Sequence, residues 1–418
     1  MNAPIVSTSV ALPKSPESFY QRTLLRGLGK FQRGSLSLRL PDGTEQVFGE
    51  LDSGQPATIE VRDPDFFRRC ILFGDIGLAE AYIDGLWETD SIERVIAWAI
   101  TNVEEQPGHQ RRHGGFSFNF LQALNRIRHL LRPNSLSMSK RNIAEHYDLG
   151  NDFYSLWLDP TMTYSSALFT TPDQTLESAQ REKYDRLCRQ LRLSHGDHLL
   201  EIGCGWGGMA EHAAKHYGCR ITSITISEEQ HRFATERIAR SGLSELVEIR
   251  LEDYRKTQGR FDKIVSIEMM EALGDRYLPV FCAQLHRLLK PEGIVALQYI
   301  TVPDTRHEKL RRGVDFIQKH IFPGSLLLSV GRVNEAFNST SDLFLHDLKD
   351  MGSSYATTLH QWWLDFNDHA DEARALGFDT PFIRKWNYYL QYCEAAFATR
   401  NISVVQAVYT RPNNLKLT

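Results

Sequence analysis

Apolar positions along the chain recur in two rhythms. Near the start, GSLSLRLPDG and ATIEVRD alternate apolar and polar residues, the two-residue period of strands joined by turns. PDFFRRCILFG and LAEAYIDGLW then space apolar residues three and four apart, which predicts helices. Residues 19–105 therefore read as a small N-terminal α/β domain, behind a lead-in at 1–18 expected to be disordered. Further on, short apolar runs alternate with longer amphipathic segments: DHLLEIG, MAEHAAKHYG, RITSITI, EEQHRFATERIARSG, LVEIRLED, FDKIVSIEM, YLPVFCAQLHRLLKPEG and IVALQYI. Strands interleaved with helices of this length predict a doubly wound, mostly parallel α/β sheet. The late run ISVVQAVYT would complete it. This second domain is expected over residues 142–410, with a short tail at 411–418.

Between the two domains, residues 106–141 change character. Seven Lys or Arg residues and no acid lie between Arg111 and Arg141. Within that stretch, Phe120, Leu124, Ile127 and Leu131 fall at helical spacing beside Arg126, Arg128 and Arg132. A basic amphipathic helix suits anionic lipid headgroups. It equally suits a linker helix packed on its own protein with solvated arginines.

Composition narrows the function class. The 418 residues are 42% hydrophobic and 24% charged, with a formal charge of -4, a globular balance with no global signal for nucleic acid. No run of 18 apolar residues predicts a membrane span, and the N-terminus lacks the pattern of a signal peptide. The six cysteines are scattered without a C-x-x-C pair, which fits reduced cytoplasmic thiols and no metal site.

The chemistry concentrates in LLEIGCGWGGMAEH, where Gly203, Gly205 and Gly208 match G-x-G-x-x-G between a strand and a helix. Ligands of such sheets bind beyond the strands' C-terminal ends, near this turn. A dinucleotide is a poor match, because Glu201 would sit close to its pyrophosphate. About 20 residues on, where a ribose-binding acid belongs, the chain carries the neutral Thr225 and Ser227, then Gln230. S-adenosylmethionine suits this set: it has an ammonium, a sulfonium and no phosphate. In LEDY, Asp253 and Tyr254 occupy the strand end where class I methyltransferases bind adenine.

Upstream of the turn stands NIAEHYDLGNDFYSLWLDPTMTYSSALF. With LLEIGCGWGG, ITSITISEEQ, FDKIVSIEMMEALG, DFIQKHIFPG and YATTLHQWW, it resembles the cyclopropane-fatty-acyl-phospholipid synthase family, which includes mycolic acid cyclopropane synthases. The resemblance runs from about Gly34 to the C-terminus. It implies a class I methyltransferase that moves the methyl of S-adenosylmethionine onto a cis double bond of a phospholipid acyl chain. A peripheral enzyme at the inner face of the cell membrane is implied too, and a homodimer, since family members are often dimers.

The resemblance also implies site residues. The transfer leaves a carbocation that aromatic faces can stabilise; Tyr147, Phe153, Tyr164, Tyr299, Phe316, Trp362 and Trp363 are candidates. A base then removes a proton. In the family that base is a bound bicarbonate, and the matching positions here are Glu271, Tyr355, Ile300, Ser166 and Gln298. Ser166 stands where the family has cysteine and Gln298 where it has histidine, so the anion pocket can persist while its proton handling changes. Glu271→Gln is accordingly expected to depress turnover strongly and leave cofactor binding nearly intact. Glu268 replaces a family glycine, a variant resembling a bacterial subgroup, some of whose members make methylated unsaturated chains instead of rings. Tyr164 and Ser165 match contacts to the methionine end of the cofactor, while His146, Tyr147 and Asp148 match a lid. Three readings follow: ring formation, methylation that stops at an alkene, and a lipid-binding protein without turnover.

Overall fold

The computed structural model describes residues 18–50, 55–103 and 149–417. The basic helix read between Arg111 and Arg141, and His146, Tyr147 and Asp148, lie outside the described residues. The chain divides into two compact units, residues 1–114 and 115–418.

In the first unit, α1 (Phe19–Leu28) precedes β1 (Ser35–Arg39), β2 (Glu45–Gly49) and β3 (Ala57–Val61). With β4 (Trp87–Glu88) these form a sheet in the order β2-β1-β3-β4. The two helical patterns of the sequence are one element, α2 (Asp65–Ile83), broken at Gly74 where φ is 59°. Between α2 and α3 (Ile92–Val103), the Trp87 ring closes the core, its indole N–H donating to the Leu78 carbonyl at 2.9 Å.

The second unit begins among the described residues with α4 (Asn151–Ser155) and α5 (Leu176–Gln190). Its sheet then alternates with helices as the sequence predicts: β5 (His198–Ile202), α6 (Gly208–Tyr217), β6 (Arg220–Thr225), α7 (Glu228–Arg240), β7 (Val247–Leu251), β8 (Phe261–Ile267), α8 (Leu278–Leu288) and β9 (Leu289–Thr301). After α9 (Asp304–Arg312), α10 (Phe316–His320) and α11 (Val330–Thr340) come β10 (Phe344–Asp350), α12 (Gly352–Asp368), α13 (Ala370–Ala375), α14 (Thr380–Ala398) and β11 (Ser403–Thr410). The strand order is β10-β11-β9-β8-β5-β6-β7, parallel from β9 to β7 and antiparallel at β11 and β10.

Both sheet faces are covered, which is why the central strands are apolar along their length. Leu200, Ile264, Val295 and Leu297 pack one face with α8 and α11; Leu199, Val265 and Ile294 pack the other with α5 and α6. Polar side chains that remain buried within this sheet therefore need partners. Glu201, Thr225, Ser266 and Gln298 lie toward the C-terminal ends of β5, β6, β8 and β9, and Gln406 lies on β11. No helix among the described residues is long and apolar enough to cross a membrane, and none of their side chains cluster as metal ligands.

Candidate active site

β8 ends one residue before Glu268, where the chain turns with φ +47°. That left-handed conformation costs a residue with a side chain about 1–2 kcal/mol. The turn is held by the Glu268 amide, which donates to the Gln298 carbonyl of β9 at 2.7 Å. The Glu268 carboxylate accepts three hydrogen bonds. To Oε1 come the Ser166 amide at 2.9 Å and Gln298 Nε2 at 2.7 Å; to Oε2 comes the Tyr355 hydroxyl at 2.9 Å. Gln298 Nε2 also reaches the Ser166 carbonyl at 3.2 Å. The Ser166 segment is pinned to α12, the helix of Tyr355. The Ala167 amide donates to Thr358 Oγ1 and the Phe169 amide to Ser354 Oγ, both at 3.1 Å.

Glu271 follows on a short 3-10 turn, Met270–Ala272. Its Oε1 accepts from the Ile300 amide at 2.5 Å, while Oε2 is buried with no hydrogen-bond partner among the described residues. Burial first, then the neighbouring Glu268, pushes the Glu271 carboxyl up to about 8. Burial also raises Glu268, but Gln298, Lys183, Ser166 and Tyr355 all oppose that. Between the two, the better-solvated anion is Glu268, so near neutral pH the proton resides on Glu271.

Lys183 enters from α5, fully buried, with Nζ donating to Ser165 Oγ at 2.7 Å. Burial pulls it down to about 7 against the opposing fields of Glu268, Asp159 and Glu201. Gln180 on the same helix donates to the Ser165 carbonyl at 2.9 Å.

A bound bicarbonate would need the donors that Glu268 and Glu271 already hold. Ser166, Gln298 and Tyr355 are satisfied by Glu268, and the Ile300 amide by Glu271. The residues do not fit the ion. The Glu268 carboxylate accepts the donors of three of the five matched positions.

The neighbouring turn fits S-adenosylmethionine. Gly203 (φ +93°) and Gly205 (φ +48°) bring bare backbone to the end of β5, and a Cβ at Gly205 would point into open space. The Thr225 hydroxyl donates to Gln230 Oε1 at 2.9 Å and accepts the Ser227 amide at 3.1 Å, an uncharged set where a dinucleotide site would carry an acid. Ser227 caps α7, with Oγ accepting the Gln230 amide at 3.3 Å. Tyr254 is buried against Phe281, and its hydroxyl has no hydrogen-bond partner among the described residues. Asp253, read as an adenine contact, is engaged by the Arg255 guanidinium at 2.6 Å.

Glu201, read as lying close to the cofactor, accepts the Ser223 hydroxyl of the adjoining strand on Oε2 at 2.5 Å. Only 2% exposed, it is pushed up by burial to about 8. Among the aromatic candidates, Tyr164 and Trp362 pack together, and Trp362 meets Tyr355 edge-on. Tyr164 shares a hydroxyl hydrogen bond with Tyr389 at 2.8 Å. Of the other candidates among the described residues, Phe153 packs among Phe378, Phe382 and Trp386, Phe316 against Tyr388, Tyr299 in the sheet core, and the Trp363 indole bonds Asn387.

Lys183 escaped the sequence reading, although its position at core phase between Ala179 and Leu187 marks it. Gln406, a lone amide inside an apolar strand, gave a similar signal.

Residues 134–407 match the family model described as mycolic acid cyclopropane synthetase. The chain is 37% identical over 406 residues to the tuberculostearic acid methyltransferase UfaA1 of Mycobacterium tuberculosis, covering 94% of this chain and 92% of that protein. It is 38% identical over 365 residues to the cyclopropane-fatty-acyl-phospholipid synthase of Escherichia coli K12, covering 86% and 90%. A solved mycolic acid cyclopropane synthase, CmaA1 complexed with SAH and CTAB, superposes with a TM-score of 0.61 at 30% identity, covering 65% of this chain and 98% of that one.

Proposed function

Because the chain belongs to the mycolic acid cyclopropane synthetase family and is an S-adenosylmethionine-dependent C-methyltransferase acting on lipid acyl chains, we propose that it methylates a cis double bond of a phospholipid acyl chain with the Glu268 carboxylate as the base. The observation that carries this is the set of three donors converging on Glu268. They hold a carboxylate where the family resemblance implies a bound anion.

S-adenosylmethionine supplies an electrophilic methyl on a sulfonium. The acyl alkene gives its π electrons to that methyl, which leaves a cation on the second alkene carbon. Tyr164 and Trp362 offer π faces toward such a cation and exclude water from the pocket. Glu268 then takes a proton from a carbon beside the cation, and the C–H electrons form a new C=C bond. Tyr355 and Gln298 aim the base. Glu271, neutral beside it, avoids a second negative charge. A phospholipid acceptor demands access to a membrane surface, so peripheral association with the inner face of the cell membrane is part of this reading.

Ring closure is the second reading: the same base takes its proton from the transferred methyl. The presence of Glu271, Ile300 and Tyr355 together, and the 38% identity to the Escherichia coli synthase, favour it. A base anchored through its own Cβ, in place of a separate ion, favours the alkene.

The experiment uses trideuteromethyl-labelled S-adenosylmethionine with liposomes of cis-monounsaturated phospholipid. Three deuteriums retained with a vinyl proton signal support the alkene; two retained with upfield ring signals overturn it in favour of the ring. Glu268→Gln tests the base in the same assay. Turnover should fall by about 10²–10⁴-fold while cofactor affinity holds, and wild-type turnover would remove Glu268 from the reaction.

A further inference from the structure

Gln298 and Gln406 face each other across the antiparallel ladder of β9 and β11, and both are fully buried. Gln406 Nε2 donates to Gln298 Oε1 at 2.9 Å, and Gln298 Nε2 donates to Glu268 Oε1 at 2.7 Å. At the far end, Arg186 Nη1 of α5 donates to Gln406 Oε1 at 2.7 Å. Arg186 Nη2 meets Asp347 of β10 at 3.3 Å, and the Asp347 side chain is 40% exposed. One continuous chain therefore joins a guanidinium near the surface to the buried carboxylate.

The sense of that chain is determined at both ends. A guanidinium only donates and a carboxylate only accepts. Each amide between them must therefore turn its carbonyl toward Arg186 and its NH₂ toward Glu268. Reversing either amide would set acceptor against acceptor at one end and donor against donor at the other. Aligned in this way, each hydrogen bond polarises the next, an effect of about 10–30% per bond.

We propose that Arg186 is a positioning residue for the reaction: through Gln406 and Gln298 it orients the donor on Glu268 and conveys positive charge to that carboxylate. This rests on Glu268 being the base. The other charged or titratable groups facing Glu268 are Lys183 of α5, Glu271 beside the turn and Tyr355 of α12. Lys183 is one helical turn from Arg186; its ammonium is engaged by Ser165, while its carbonyl accepts Gln406 Nε2 at 3.4 Å, so only its backbone touches the amide chain. Changing Arg186 leaves all three in place.

The test compares wild type with Arg186→Met, Arg186→Lys, Gln406→Met and Asp347→Asn. Two readouts are used: the pH profile of kcat, and the carboxyl carbon signal of Glu268 in ¹³C-glutamate-labelled enzyme, assigned by its loss in Glu268→Gln. Arg186→Met and Gln406→Met should move the acidic limb and the Glu268 titration upward together by about one pH unit, a tenfold change in ionised fraction. In Arg186→Lys most of that shift should disappear, Asp347→Asn should stay near wild type, and the KM for S-adenosylmethionine should not move. Profiles superimposed on wild type in both Met variants would overturn the proposal. So would an equal shift in Asp347→Asn, which would assign the effect to the surface ion pair. If Arg186→Met does not fold, Gln406→Met carries the same comparison, with Arg186→Lys as its charge-conserving control. Wild-type turnover in Glu268→Gln would sink the base assignment separately, while the carbon titration would still decide what Arg186 does.

Discussion

Glu268 holds a backbone conformation that glycine adopts without penalty, and nothing in the local turn calls for a side chain there. The strain is offset by three hydrogen bonds to a buried charge, each worth about 1.5–3 kcal/mol when one partner is ionised. Strain kept at a cleft and compensated by the surrounding structure is the pattern of a functional position. The neighbouring Glu271 is a different group in spite of its identical chemistry. It has one amide donor against the three donors and Lys183 around Glu268, so it keeps the proton. Sequence alone points to Glu271→Gln as the variant that depresses turnover strongly; the proposed base role places the larger loss at Glu268. A glutamine is isosteric with a protonated glutamate, so at pH 7 we expect Glu271→Gln to lower kcat by less than about tenfold, far short of the general-base loss at Glu268. Rates of the two variants measured side by side decide it, and equal losses would return the base to the pair as a unit.

Among the elements, the junction of β5 and α6 decides whether the cofactor end of the site exists. Three closely spaced glycines there have positive φ, and Gly207 (φ +84°) directly precedes α6. A Cβ at Gly207 would lie 3.1 Å from Ala234 Cβ on α7. We expect Gly207→Ala to cost about 1–3 kcal/mol from backbone strain and crowding, visible as a lower urea midpoint, with weaker S-adenosylmethionine binding in calorimetry. An unchanged midpoint would mean that the turn relaxes freely. The same junction shows what periodicity can and cannot read. Apolar runs and a glycine cluster announce strand, turn and helix. That Glu201 meets Ser223 depends on the pairing of β5 with β6, and one strand carries no record of its neighbour's register.

At the scale of the whole molecule, buried ionisable groups link folding to pH. The folded-state value of Glu201, about 8, lies above its ordinary 4.5. The folded protein therefore holds a proton that the unfolded chain releases. This contribution is complete below pH 4.5 and lost as pH rises toward 8. His212 runs the other way, depressed by burial to about 4 from 6.5, so its contribution is present above 6.5 and lost as pH falls toward 4. The two oppose each other, so the informative quantity is a difference. In cofactor-free enzyme, Glu201→Gln should gain stability relative to wild type between pH 5 and pH 7.5, on the order of a few kcal/mol. Urea melts at the two pH values measure it, and parallel curves would show that Glu201 is already ionised when folded.

Much of this protein was legible in its sequence because the information is local. The alternation of strand and helix, the glycine turn after LLEI and the uncharged Thr225, Ser227 and Gln230 all lie within short windows governed by backbone sterics and side-chain period. Glu268, Ser166, Gln298 and Tyr355 were each conspicuous as residues, three of them as departures from the pattern that the chain resembles. Their meeting was not readable. Ser166 and Glu268 are 102 positions apart, Tyr355 and Glu268 87, and Gln298 and Gln406 108. Only the packing of α12 and the antiparallel return of β11 brings them together. Chain sequence determined that an extra carboxylate would sit after β8; tertiary structure decided that this carboxylate takes the donors of the expected ion, because donors and acceptor come from distant segments that share one buried layer.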